Sequence, residues 1–193
     1  MPLNTPNVLT LLRIFLIPVL VLAYYLPFAW SNVLVTILFV LGGITDWLDG
    51  YLARRLNQSS AFGAFLDPVA DKLMVATALV LLATDERILS AVFHRAVFAV
   101  VVAIIIGREI VISALREWMA ELGSRASVRV SYVGKFKTIM QFVAISLLLY
   151  RDPFYHIPTL TIGELLLYIA AALTLWSMFH YMRAAWPKLV ADR

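Results

Sequence analysis

Four aspartates, Asp46, Asp49, Asp67 and Asp71, interrupt the apolar segments of this chain. A charged side chain at the middle of a membrane helix costs about 2.5–3.5 kcal/mol on insertion scales. A chain of this size is stable by only about 5–15 kcal/mol, so four unpaired carboxylates at that depth would threaten the fold. Because hard divalent cations prefer carboxylate oxygen, the acids indicate a metal site.

The spacing of the acids places them on two helical faces. Residues at i, i+3, i+4, i+7 and i+8 share one face of a helix. The first face therefore carries Asp46, Asp49, Gly50, Ala53 and Arg54, and the second carries Gly63, Asp67 and Asp71. Packing the two helices together would bring all four carboxylates to one point at one membrane surface.

This constellation suits a phosphate-bearing substrate. Two divalent ions can stabilise both the attacking and the leaving oxygen of a phosphate group. Gly50 and Ala53 are small enough for a ligand to approach the helix, and the guanidinium of Arg54 can meet a phosphate. The alternative is structural, since Asp–Arg pairs at helix ends often form only a solvated rim.

Composition places the acids in a membrane protein. Of the 193 residues, 62% are hydrophobic, and apolar runs recur at about 8–28, 31–45, 68–84, 96–115, 138–150 and 160–182. The third and fifth runs reach spanning length only if flanking polar residues continue the same helix. We therefore predict an all-α integral membrane protein with six transmembrane helices, forming a single domain over residues 1–193. The first run lacks a small-x-small cleavage site and is expected to be retained.

The basic residues predict the orientation. Of the 16 Lys and Arg residues, only Arg87, Arg95 and Arg151 fall on the side opposite the chain ends. By the positive-inside rule, both termini and the four acids are expected to be cytoplasmic. The net charge of +4 fits an anionic lipid surface, and nucleic acid is not an expected partner because no soluble basic domain is present. Asp85, Glu86 and Asp152 are expected to be solvated loop charges on the far side.

The acids also carry a family resemblance. The chain fits D-x-x-D-G-x-x-A-R-x8-G-x-x-x-D-x-x-x-D at every fixed position, from Asp46 to Asp71. This resembles the signature of the CDP-alcohol phosphatidyltransferases. The resemblance implies their six-helix fold, a pair of divalent ions (Mg²⁺ or Mn²⁺), and transfer of a phosphatidyl group from a CDP-lipid to an alcohol with release of CMP. It also implies that Asp46, Asp49 and Asp67 bind metal and that Asp71, also near metal, is the general base.

A basic cluster narrows the acceptor alcohol. Arg108, Arg116, Lys135 and Lys137 lie at the same predicted membrane face as the acids and can form a second anion site. An acceptor that carries its own phosphate would need such a site. For the lysines, the competing interpretation is that they are positive-inside anchors extended to the membrane surface.

The resemblance extends over nearly the whole chain and weakens after about residue 150. The segments NTPNVLTLLRI, REIVISALREW and GKFKTIMQ resemble bacterial members of the family that use sn-glycerol 3-phosphate. This implies CDP-diacylglycerol and glycerol 3-phosphate as substrates, a cytoplasmic (inner) membrane location, and a homodimer. It assigns the acceptor phosphate to the four basic residues. The CDP-lipid side then falls to Asn7, Thr10, Arg13, Gly50, Ala53, Arg54 and Gly63.

Three alternatives stay open from the sequence. One is a related transferase that uses inositol phosphate, serine or phosphatidylglycerol as acceptor. Another is a cation or proton transporter, whose pathway would also use buried carboxylates. A non-catalytic helical scaffold is the third. The clustering of the acids at one membrane face favours a transferase over a transporter.

Overall fold

A computed structural model of the protein describes residues 5–56, 61–121 and 132–191, and within these ranges every regular element is an α-helix. The all-α prediction is thereby confirmed. The helices are α1 (Thr5–Tyr25), α2 (Ser31–Leu56), α3 (Ala61–Thr84), α4 (Glu86–Ala91), α5 (Arg95–Glu121), α6 (Tyr132–Tyr150) and α7 (Thr159–Ala191).

Polar residues extend several helices beyond the apolar runs. Helix α2 continues through Asp46 and Asp49, and α3 begins before Asp67. The third and fifth predicted spans are therefore longer than their apolar parts, as the sequence required. The short helix α4, six residues long, was not predicted, because fewer than two turns leave no apolar periodicity to detect.

Four helices of the described ranges are long and apolar enough to cross a membrane. The segments are Asn7–Tyr25, Ser31–Leu52, Arg95–Met119 and Thr159–Arg183, and α6 adds a shorter apolar segment, Phe136–Tyr150. Large apolar side chains such as Phe15, Leu22 and Trp176 point outward on these helices and are about two-thirds exposed. Outward apolar side chains are what a lipid environment requires.

The chain forms two compact units, residues 1–91 with 145–160 and residues 92–144 with 161–193. In the first unit, α1 packs against α2 and α3 through buried residues such as Leu20, Phe39 and Met74. The thioether end of Met74 on α3 lies against Gly42 on α2, in the space that a Cβ atom at this position would need.

At the other end of the first unit, the side chain of Asp85 is only 7% exposed and is paired, which contradicts the expectation of a solvated loop charge. Its Oδ2 atom accepts hydrogen bonds from Arg151 Nη1 at 2.9 Å and from the Tyr24 hydroxyl at 2.8 Å. Burial alone would raise the pKa of Asp85. The hydrogen bonds from Tyr24 and the Arg87 amide, with the charges of Arg151 and Arg87, outweigh that effect and hold the pKa below its ordinary value.

The second unit contains α5, most of α6 and α7. Ile112, Leu115 and Met119 on α5 pack against Met178, Tyr181 and Met182 on α7. At the other end of the unit, the carboxylate of Glu164 accepts the backbone N–H of Phe93 at 3.0 Å. These contacts hold α5 and α7 together at both ends.

Candidate active site

Helices α1, α2 and α3 bring three of the four predicted acids together. Arg13 on α1 is only 1% exposed. Its Nη1 atom donates to Asp46 Oδ1 at 2.6 Å, and its Nη2 atom donates to Asp49 Oδ2. The hydroxyl of Thr10 donates to Asp67 Oδ1 at 2.6 Å and lies 3.5 Å from Asp49 Oδ2. One arginine and one threonine therefore join the carboxylates of two helices.

The pattern on α1 explains how this helix serves the site. Asn7, Thr10 and Arg13 are spaced by three residues, so they share a face, and all three are buried. The sequence assigned them to the CDP-lipid side. It gave no sign that Thr10 and Arg13 would contact the acids, because their partners lie on other helices.

The other residues of the acidic motif have different surroundings. Gly63 is buried on α3, Gly50 on α2 is partly buried, and Asp71, one turn after Asp67, is exposed. An exposed carboxylate next to the cluster can meet a substrate. The side chains of Ala53 and Arg54, which the sequence assigned to the CDP-lipid, lie outside the described part of the structure.

The donor set decides whether a metal fits this site. Among the described residues, no group of three or more Asp, Glu or His side chains has the arrangement of a metal site. The guanidinium of Arg13 bridges Asp46 and Asp49 and supplies the positive charge that balances their carboxylates. The chemistry of the donors, all carboxylate oxygen, still suits Mg²⁺ or Mn²⁺. A metal on Asp46 and Asp49 would require Arg13 to move away from these acids.

The second unit holds two of the predicted acceptor residues. Arg108 on α5 is 8% exposed and Lys137 on α6 is 2% exposed. Arg108 Nη1 donates to Glu109 Oε1 at 2.6 Å and Arg108 Nη2 donates to Ser177 Oγ at 3.3 Å. Lys137 Nζ lies 3.6 Å from the same Glu109 oxygen. The side chain of Lys137 therefore points inward, toward Glu109.

The positive charge of these two cations exceeds the negative charge of the single acid that pairs with them. Glu109 contributes one negative charge to Arg108 and Lys137, and within the described residues Lys137 Nζ and Arg108 Nε have no hydrogen-bond partner. Buried cationic donors that lack hydrogen-bond partners can bind an anion. The side chains of Arg116 and Lys135, the other two predicted acceptor residues, lie outside the described part of the structure.

Comparison with known proteins identifies the family. A family model described as CDP-alcohol phosphatidyltransferase matches residues 3–176, a range that contains both clusters. The chain belongs to the CDP-alcohol phosphatidyltransferase family.

Close relatives of this transferase cover almost its whole length. A protein of Yersinia pestis (strain Pestoides F) is 52% identical over 190 residues, 98% of this chain and 99% of the relative. Relatives from Pectobacterium atrosepticum and Sodalis glossinidius are 52% and 53% identical and cover 96% of each chain. All three are named CDP-diacylglycerol–glycerol-3-phosphate 3-phosphatidyltransferase.

Two residues of this phosphatidyltransferase were absent from the predicted site. Glu109 and Ser177 both contact Arg108, and they fix the direction of its guanidinium. Glu109 had a local signal, since it stands next to Arg108 and within an apolar helix. Ser177 had none, because it lies 69 residues from Arg108 along the chain.

Proposed function

We propose that the chain transfers the phosphatidyl group of CDP-diacylglycerol to sn-glycerol 3-phosphate, giving phosphatidylglycerophosphate and CMP. The observation that carries the proposal is the near-full-length similarity to relatives named for this reaction. The burial of Arg108 and Lys137 supports glycerol 3-phosphate as the acceptor. These two cations share a single carboxylate, and a phosphate on the acceptor would neutralise the remaining positive charge.

In the proposed reaction, a hydroxyl of the acceptor attacks the lipid-side phosphorus of the CDP-lipid. The new P–O bond forms as the bond to CMP breaks, and the hydroxyl proton goes to Asp71. The exposed position of Asp71, one turn from Asp67, suits this role as general base. We propose that Asp46, Asp49, Asp67 and Asp71 hold two divalent ions, the number that the family resemblance implies. When bound, the metal would supply positive charge to the diphosphate.

Arg13 has a place in the same proposal. Its guanidinium neutralises Asp46 and Asp49 in the arrangement described here. A metal held by the acids would take over that charge and leave the Arg13 guanidinium available to the diphosphate. We assign the CDP-lipid side to Arg13 together with Asn7, Thr10, Gly50, Gly63, Ala53 and Arg54. A guanidinium suits a diphosphate because its donors can pair with two oxygens.

We further propose six membrane spans. Four are the long apolar helices α1, α2, α5 and α7, and the other two are α3 and α6. Both termini, the acids and the basic cluster then face the cytoplasm of a bacterial inner membrane. The bias of the basic residues supports this orientation. The family resemblance adds a homodimer, which light scattering of the detergent-solubilised protein would test.

The test of function is CMP release by the purified protein with CDP-diacylglycerol and Mg²⁺ or Mn²⁺. Glycerol 3-phosphate, inositol phosphate, serine and phosphatidylglycerol are supplied in turn. Release with glycerol 3-phosphate alone supports the proposal, and release with another acceptor keeps the family chemistry but overturns the acceptor. No release from folded, metal-loaded protein with any acceptor overturns the transferase function and favours the transporter or scaffold.

A matched pair of variants tests the acceptor site. Lys137→Met should raise the KM for glycerol 3-phosphate by about 10- to 100-fold, because a hydrogen bond to a charged group contributes about 1.5–3 kcal/mol. The KM for CDP-diacylglycerol should not change. Ile139→Met, on the exposed face of the same helix, is the control and should leave both constants unchanged.

A further inference from the structure

Gln141 on α6 is buried, 5% exposed, and its amide oxygen has no hydrogen-bond donor among the described residues. A buried acceptor without a partner is unfavourable and uncommon in native structures. Such an acceptor is even more unfavourable in a membrane protein, because lipid offers no hydrogen-bond donor. None of the steps of the proposed transfer uses Gln141, so its unpaired amide oxygen is available to a ligand.

The register of α6 places Gln141 beside the acceptor site. Gln141 follows Lys137 by four residues, so the two side chains lie on one helical face. Both are buried with Ala144, which continues this face, whereas Thr138 and Ile139 are exposed. Lys137 lies 3.6 Å from Glu109 of α5. The inward face of α6 therefore presents a cationic donor and, one turn later, a neutral acceptor.

These two groups define the chemical class of the ligand. The ammonium of Lys137 has three donors and no acceptor, so it suits a phosphate. The amide oxygen of Gln141 can only accept, so it suits a hydroxyl. One helical turn, about 5.4 Å, separates them along the axis, which suits a short phosphorylated polyol.

We infer that Gln141 recognises the hydroxyl of the acceptor that does not react, the one on C2 of glycerol 3-phosphate, while Lys137 binds the phosphate. This inference rests on the proposed function. The C1 hydroxyl attacks and gives up its proton, so it cannot also serve as a lasting donor. The C2 hydroxyl keeps its proton and donates it in a hydrogen bond to Gln141 Oε1. Gln141 is thereby a specificity-determining residue.

The test compares glycerol 3-phosphate with 3-hydroxypropyl phosphate, which keeps the phosphate and the attacking hydroxyl but lacks the C2 hydroxyl. The wild-type protein should favour glycerol 3-phosphate in kcat/KM, because a site built to bind a hydroxyl rejects an analogue without it. Gln141→Met removes the amide and keeps the length of the side chain. It should reduce this preference by about tenfold or more and leave the KM for CDP-diacylglycerol unchanged.

Stability measurements separate recognition from a structural role. Gln141 Oε1 has no partner among the described residues, so Gln141→Met should not lower the midpoint of thermal unfolding. If that variant does not fold, Gln141→Leu replaces it. Ile139→Met is the matched control for a methionine on α6 and should keep the wild-type preference.

Each result decides a different statement. If the wild type is active with glycerol 3-phosphate and Gln141→Met keeps the wild-type preference, the inference is wrong and the proposed function stands. A lower unfolding midpoint with the preference intact also overturns it, in favour of a structural role. If the wild type releases no CMP with glycerol 3-phosphate, the proposed function fails and the inference fails with it.

Discussion

Arg13 is the residue that most directly controls the charge of the acidic cluster. The substitution Arg13→Met leaves Asp46 and Asp49 without the cation that they share. Breaking a buried ion pair costs about 3–5 kcal/mol. Because Asp46 is 45% exposed and partly screened by solvent, we expect the lower end of this range. The expected result is a lower midpoint of thermal unfolding in detergent with EDTA, partly restored by Mg²⁺.

Arg55→Met is the control for this experiment, since Arg55 is exposed on α2 and bonds only to Tyr51 among the described contacts. It should unfold at the wild-type midpoint with or without Mg²⁺. An Arg13→Met protein that is as stable as the wild type in EDTA would show that Arg13 does not neutralise the acids.

A substitution at Asp71 tests its proposed role as the general base. Asp71→Asn keeps the size of the side chain and removes its basicity. We expect turnover to fall by about 10²- to 10⁴-fold, the usual contribution of a general base. The unfolding midpoint should change little because Asp71 is exposed. CMP release and thermal unfolding, measured on one preparation, check both statements.

Glu86→Gln provides the comparison for Asp71→Asn, because Glu86 is an exposed acid outside the acidic motif. It should retain wild-type turnover. Full turnover in Asp71→Asn would support a non-catalytic scaffold.

At the residue scale, the sequence predicted that acids of two helices come together but not which side chains hold them there. Asp46, Asp49 and Asp67 were recognisable because helical spacing is local information. The contacts of Arg13 reach partners 33 and 36 residues away, and no local pattern encodes them. The inward direction of Lys137 was equally invisible, since a lysine near a helix start also fits an interfacial anchor.

At the scale of elements, Asp85 and Arg151 tie the α3–α4 junction to the segment after α6. Their side chains are 7% and 8% exposed, and the Arg151 guanidinium also lies over the Tyr24 ring at 4.4 Å. Asp85→Asn should lower the free energy of unfolding by about 3–5 kcal/mol, because it leaves Arg151 buried without its counter-charge. Thermal or denaturant unfolding in detergent measures this change.

The same pair predicts a pH dependence. The pKa of Asp85 in the folded protein lies below its ordinary value of 3.8. Ionised Asp85 therefore contributes stability above pH 3.8, and this contribution is lost as the pH falls through the lower folded value. The stability of Asp85→Asn should vary less with pH in this acid range than that of the wild type. Equal acid dependence of the two proteins would contradict the role of Asp85.

Most of the helices could be predicted because their apolar runs are long, whereas hydropathy did not locate the ends of the helices. Helix α2 keeps its hydrogen bonds through Asp46 and Asp49, where hydropathy alone stopped at residue 45. Asp85 was misread for a related reason. It follows an apolar run and precedes Glu86 and Arg87, a pattern typical of a solvated loop, and its partners Tyr24 and Arg151 are remote in sequence.

At the scale of the whole molecule, the proposed reaction makes one requirement of the acids, which would act through bound metal, and of the buried cations. Two anionic groups, a diphosphate and an acceptor phosphate, must be drawn to one membrane surface. The sequence places Asp46 to Asp71 and Arg108 to Lys137 on the same predicted side. The orientation of the chain therefore decides whether a water-soluble acceptor in the cytoplasm can reach the site.

The absence of cysteine from the chain allows this orientation to be measured. Ser90 on α4 and Glu117 on α5 are both exposed and are predicted to lie on opposite sides of the membrane. Ser90→Cys should react with an impermeant maleimide added outside spheroplasts, whereas Glu117→Cys should react only in inverted vesicles. The cysteine-free wild type is the control for background labelling. If both variants react from one side, Ser90 and Glu117 lie on the same side of the membrane and no odd number of spans separates them. The six-span arrangement with a cytoplasmic site would then be wrong.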